Sequence, residues 1–105
     1  MVTSDETITK SCRELFKALS DETRWMIVRE LLLRPLTVGE LADCLAVSHY
    51  NVSKQLKVLR ACGIIRMTKE GRHVRAQVNP EMTPKGACAN VEERVLELGC
   101  CDIRF

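Results

Sequence analysis

Apolar side chains recur at intervals of three and four along the first half of the chain. Ile8, Cys12, Leu15, Phe16 and Leu19 share one helical face, so the spacing predicts a first helix over residues 6–19. Ser20-Asp21-Glu22-Thr23 ends it and caps a second, with acids in the first turn where the helix dipole favours them. Trp25, Val28, Leu31 and Leu32 are its apolar side. It is expected to run to about Arg34, where Pro35 removes a donor and stops it. Thr37-Val38-Gly39-Glu40 has the spacing of a capping box and predicts a short third helix ending near Cys44. After a tight turn, Leu45-Ala46-Val47, Ser48 caps a fourth helix with the apolar stripe Val52, Leu56 and Leu59. Gly63 fits the left-handed position after it.

The period then drops to two. Ile65 and Met67, then Val74, Ala76 and Val78, alternate with polar residues around Glu70-Gly71, which predicts a two-stranded hairpin with a basic tip. Asn79-Pro80 breaks it. Thr83-Pro84 reads as a cap with proline at the first helical position, and Ala87, Val91, Val95 and Leu98 as a fifth helix closed by Gly99. The expected architecture is one mainly α domain over residues 1–105 with a small β-hairpin between the fourth and fifth helices. There are no internal repeats or long linkers.

Charge sharpens this picture. The formal net charge is +2, but the segment from Ser48 to Arg75 carries seven basic residues, Lys54, Lys57, Arg60, Arg66, Lys69, Arg72 and Arg75, against the single acid Glu70. That segment is +6 and the remainder is −4. Charge alone also fits a solvated face, so its arrangement decides. Two short helices joined by a tight turn, the second polar and basic outside, form a helix-turn-helix. A helix can enter the major groove only if it offers donors to base edges and cations to phosphates. Tyr50, Lys54 and Lys57 lie opposite the apolar stripe, and Ser48, His49, Asn51, Ser53 and Gln55 stand at the helix start and flanks. The hairpin tip, with Lys69, Arg72 and His73, would follow the neighbouring backbone or minor groove as a wing. The expected partner is double-stranded operator DNA.

The run Phe16-Lys17-Ala18-Leu19-Ser20-Asp21-Glu22-Thr23-Arg24 resembles the opening signature of the ArsR/SmtB family of winged helix-turn-helix repressors. So do Val52-Ser53-Lys54-Gln55-Leu56-Lys57-Val58-Leu59-Arg60, Cys62-Gly63-Ile64-Ile65 and Glu70-Gly71-Arg72, over about residues 8–80. The resemblance implies a homodimer joined through the first and last helices, and promoter binding that an inducer weakens. It also implies where an inducer is sensed. The Cys-Val-Cys type motif of arsenic and cadmium sensors on the third helix is replaced here by Thr37-Val38-Gly39-Glu40-Leu41-Ala42. A His- and carboxylate-rich site across the dimer axis is disfavoured too, because both histidines, His49 and His73, fall in the DNA-facing region.

Six cysteines remain to be explained. Cys12, Cys44, Cys62 and Cys88 are single and scattered, and each also fits a small buried hydrophobe. Cys100 and Cys101 are adjacent, past the expected fifth helix. Neighbours across a trans peptide are about 3.8 Å apart, whereas a disulfide wants roughly 4.4–6.8 Å, so the two suit a soft ion better than each other. A trigonal site needs a third thiolate. Cys88 lies about 18 Å away along one helix, so only the partner's copy could reach, in antiparallel packing across a twofold axis. Cys12 on the first helix is the alternative, and Cys62 a weaker one. Three thiolates suit trivalent arsenic or antimony, with cadmium, lead, mercury and copper(I) open.

The favoured reading is a repressor released by arsenite or antimonite. A redox- or sulfide-responsive repressor of the same fold and a cytoplasmic thiol metal-carrier are the alternatives. A carrier does not need the basic helix and wing. An enzyme is not expected: no phosphate-cradling loop precedes a cysteine, and no Cys-x-x-Cys occurs. No apolar run approaches the roughly 18 residues of a membrane span, and Met1 to Lys10 lacks an apolar signal segment. A cytoplasmic location with reduced thiols is therefore expected.

Overall fold

The computed structural model describes residues 11–84 and 94–105. Helix α1 (Cys12–Leu19) starts at Ser11, whose hydroxyl accepts from the Glu14 N–H. Helix α2 (Glu22–Leu31) is capped by the Asp21 carboxylate, which accepts from the Arg24 N–H at 3.1 Å. It ends three residues before Arg34, where Leu33 N–H turns back to Glu30 O and tightens the last turn. Residues 6–10 of the expected first helix lie outside the described residues.

Helix α3 (Val38–Leu45) has the full capping box: Thr37 Oγ1 accepts from Glu40 N–H, and Glu40 Oε1 accepts from Thr37 N–H at 2.9 Å. Ala46 takes φ +55° in the turn that follows. Helix α4 (His49–Ala61) starts at Ser48, whose hydroxyl accepts from Asn51 N–H, and buries Val52, Leu56 and Leu59. Gly63, at φ +80°, turns the chain out of it.

Two strands follow, β2 (Ile65–Glu70) and β3 (His73–Val78), paired antiparallel from Ile65↔Val78 to Glu70↔His73. Asn79 holds the base of this hairpin to the end of α4 by donating to Gly63 O and Ile64 O. A two-residue strand not anticipated from the sequence, β1 (Leu36–Thr37), pairs with β3 and makes the order β1-β3-β2. Leu36 is buried there, which anchors the capped start of α3 to the sheet.

The end of the chain departs from expectation. Residues 85–93 of the expected fifth helix lie outside the described residues. Residues 95–98 are not helical: β4 (Val95–Glu97) pairs antiparallel with β5 (Asp102–Arg104). The physical reason is burial. A helical stripe through Val95 and Leu98 leaves Leu96, Ile103 and Phe105 without partners. The hairpin sets Leu96 opposite Ile103, makes Leu96 fully buried and packs Ile103 and Phe105 on the core. Gly99, at φ +94°, makes the loop, and Leu98 N–H donates to Cys101 O across it. Leu15, Ile27, Val28, Leu41, Val52 and Leu59 centre the core under α1 to α4, and the terminal hairpin closes it beside α1 and α2.

Candidate functional site

The outer surface of α4 is mostly polar because Val52, Leu56 and Leu59 point inward. Ser48, His49, Tyr50, Lys54 and Lys57 are exposed, Tyr50 by 79%. Asn51, Ser53 and Gln55 are half-buried on the flanks. The His49 ring lies beside Gly39 of α3, at a distance where a methyl would just fit. At the β2–β3 tip, Lys69, Arg72 and His73 are exposed, with Gly71 at φ +59° permitting the tight reversal.

Arg75 braces the wing against the helix-turn-helix. Its guanidinium lies 3.4 Å from a Glu70 oxygen on β2 and 3.5 Å from Glu40 on α3. The Thr37 N–H bond, then the Thr37 hydroxyl and the Arg75 and Arg34 charges, hold the Glu40 carboxyl below its usual range, outweighing desolvation.

Gln55 is not free to meet solvent with both ends of its amide. Its Oε1 accepts from Arg24 Nη1 at 2.7 Å, and its Nε2 donates to Asn51 Oδ1 at 3.2 Å. Arg24 also donates from Nε to Ala18 O at 2.6 Å. Sequence reasoning placed Gln55 among the DNA-facing groups and gave Arg24 no role. A helix-start arginine one turn from a capping Asp carries no signal of a partner thirty-one residues away.

The cysteines assemble at the other end of the molecule. The β4–β5 loop brings Cys100 to the start of α1, where it is joined to Cys12 in a disulfide with a Cα–Cα distance of 6.4 Å. The expectation that these thiols are separate and reduced is corrected for this pair, because the hairpin supplies the spacing that adjacent cysteines lack. Cys101 is free and exposed, its sulfur 3.9 Å from that of Cys100. Three sulfurs from one chain thus lie together. Of the third-ligand candidates, Cys12 is brought to the pair, and Cys88 lies outside the described residues. Cys44 is free and exposed, against the expectation of a small buried hydrophobe, and Cys62 packs half-buried on the core.

While Cys12 and Cys100 are joined, no group of three or more His, Cys, Asp or Glu among the described residues is arranged to hold a metal ion. Opened, the same three cysteines form a donor set of soft sulfurs without nitrogen or oxygen, which suits a thiophilic ion. Among the described residues no helix is long and apolar enough to cross a membrane.

A helix-turn-helix domain family model matches residues 19–68, from the end of α1 through α4 to the first wing strand. The regulator CmtR of Mycobacterium tuberculosis strain H37Rv is 44% identical over 61 residues, 58% of this chain and 52% of CmtR. The chain thus spans about half the length of the CmtR regulators it matches. The NMR structure of the cadmium metal-sensor CMTR from Mycobacterium tuberculosis superposes with a TM-score of 0.57 at 40% identity, covering 64% of this chain and 70% of that one. An ArsR-like transcriptional regulator from Rhodococcus sp. RHA1 superposes at 0.62 with 36% identity, over 72% and 69% of the two chains. The arsenical resistance operon repressor of Escherichia coli K12 is 36% identical over 81 residues, 76% of this chain and 68% of that repressor. Shared motifs, the wing order and these matches agree, and the chain belongs to the ArsR/SmtB family of winged helix-turn-helix regulators.

Proposed function

We propose that this protein is a DNA-binding transcriptional repressor released from its operator by a soft thiophilic ion, trivalent arsenic or antimony first, held by Cys12, Cys100 and Cys101. The observation that carries this is the meeting of the three sulfurs at the junction of α1 and the terminal hairpin. The likeness to an arsenical resistance operon repressor supports the choice of ion. Cadmium, lead, mercury and copper(I) are chemically compatible with the same sulfurs, and cadmium is named in a related sensor structure.

Opening the Cys12–Cys100 bond takes two electrons and two protons, which two molecules of a small monothiol deliver as they form their own disulfide. The three thiols must then lose their protons to ligate, so ion affinity rises with pH through the thiol range. The exposed face of α4 and the β2–β3 tip meet the DNA, with Lys54, Lys57, Lys69 and Arg72 on phosphates and Asn51 and its neighbours on base edges. A homodimer presents two such helices to a twofold operator, and α1, with Phe16 45% exposed, forms part of its interface.

One observation favours a second reading. The disulfide spans 88 residues and has a free cysteine beside it, so the regulator could respond to oxidation or to reactive sulfur instead. Titration separates the two. The protein is reduced with a phosphine and bound to its operator, then treated with arsenite or with peroxide while DNA binding is followed by anisotropy. Release by stoichiometric arsenite alone supports ion sensing. Release by peroxide alone supports the redox reading, and no DNA binding at all overturns both.

A further inference from the structure

Arg24, at the start of α2, is fixed by its own surroundings. Its Nε donates to Ala18 O near the end of α1, and its backbone N–H is held by the Asp21 cap. Its Nη1 reaches across to α4 and donates to Gln55 Oε1 at 2.7 Å. A guanidinium has donors and no acceptor. The Gln55 amide therefore has its oxygen toward Arg24 and its NH2 turned the other way. That NH2 donates to Asn51 Oδ1 at 3.2 Å, one helical turn nearer the start of α4. Asn51 in turn has its oxygen committed, and its Nδ2 donates to nothing among the described residues. The donor-only character of one arginine thus passes along two amides and fixes which end of the second faces outward.

We propose that Arg24 is a positioning residue for DNA reading: through Gln55 it presents Asn51 to the groove as a hydrogen-bond donor. A free asparagine reads adenine with both ends of its amide, donating to N7 and accepting from the N6 amino group. With one lone pair of Oδ1 held by Gln55, the outward Nδ2 suits an edge that only accepts, guanine N7 and O6. The inference rests on the reading of α4 as the DNA-facing helix, and it names a residue that determines base preference without touching DNA.

The test selects operators from randomised duplexes with the full-length protein, and records side-chain amide NMR spectra of the DNA-free protein. The Asn51→Ala variant first identifies the base pair that Asn51 reads, as the position whose preference it relaxes. At that position the wild type should select guanine. Arg24→Lys keeps the charge but lacks the planar fork that reaches Ala18 O and Gln55 Oε1 together. It should lose about tenfold of the preference there, keep its salt dependence, and shift the Gln55 and Asn51 NH2 resonances. Arg24→Met should show the same two changes, and a melting curve checks that it is folded. Gln55→Glu cannot donate to Asn51, so the Asn51 amide should reverse and the selected base should change from guanine to one offering a donor. Unchanged base selection by folded Arg24→Lys or Arg24→Met, or adenine at the Asn51 position of the wild type, overturns the proposal and leaves DNA binding standing. If the wild type selects no sequence at all, the DNA-reading role of α4 fails and the proposal with it.

Discussion

Trp25 of α2 and Phe105 after β5 stack with ring centroids 4.1 Å apart and planes tilted by 31°. This contact pins the end of the terminal hairpin to the helical body, on the same hairpin that carries Cys100 and Cys101. Trp25 is the chain's one tryptophan, so its fluorescence reports whether the hairpin is docked. Phe105→Ala should red-shift that emission and lower stability by about 1–3 kcal/mol in urea unfolding, less than for a fully buried ring because Phe105 is half-buried.

Gly99 separates a hairpin from a helical tail. Its φ of +94° lies where a side chain is strained, and an added methyl would meet nothing within 4 Å, so the cost is conformational alone. Gly99→Ala should therefore destabilise by about 1 kcal/mol. In a helix the same change would stabilise. Leu96→Ala, at a fully buried strand position, should cost about 2–5 kcal/mol by the same measurement.

The two ends of the chain differ in how legible they were. Helices α3 and α4 were readable because their signals are local. Thr37 and Glu40 close a box within one turn, Ser48 caps α4 and Val52, Leu56 and Leu59 repeat at helical spacing. The wing was readable from its alternation and Gly71. The terminal hairpin was not, because Val95 and Leu98 fit a helical stripe as well as a strand. What decides is that Leu96 and Ile103, opposite each other on the hairpin, pack on the core together when Phe105 docks on Trp25, a contact that no local window of sequence contains. The cysteine site shows the same split. Adjacent Cys100 and Cys101 announced themselves, whereas the neighbour that completes the cluster, Cys12, depended on where the hairpin docks. Gln55 was singled out from its place on α4, but its commitment to Arg24 needed the packing of α2 on α4.

The capping box at α3 makes a pH prediction. Glu40 is held below the usual carboxylate range, chiefly by the Thr37 N–H. Its folded value is lower than its unfolded value, so its stabilisation is complete above the unfolded value. It fades as pH falls through the folded one. Thr37→Ala should cost about 1 kcal/mol at neutral pH. Glu40→Gln, which has no carboxyl to titrate, should flatten the acid limb of stability against pH, read as urea midpoints over the carboxylate range.

Phosphate contacts have their own signature. Lys54→Ala and Arg72→Ala should each weaken binding to all duplexes alike and reduce the slope of log affinity against log salt by about 0.9. Both side chains are exposed, on α4 and the wing tip, so the folded protein should melt as before. An unchanged slope for Lys54→Ala would remove α4 from the DNA surface.

The cysteine cluster is tested most directly by replacing Cys100 and Cys101 with serine and measuring operator release on adding arsenite to the phosphine-reduced protein. The wild type should lose at least tenfold in operator affinity, a coupling of about 1.4 kcal/mol. The double-serine protein should bind the operator as tightly as the wild type and stay bound, and Cys12→Ser should blunt the response where Cys88→Ser leaves it intact. Normal release of the double-serine protein by arsenite would contradict the account, and would move the sensing site away from the junction of α1 and the terminal hairpin.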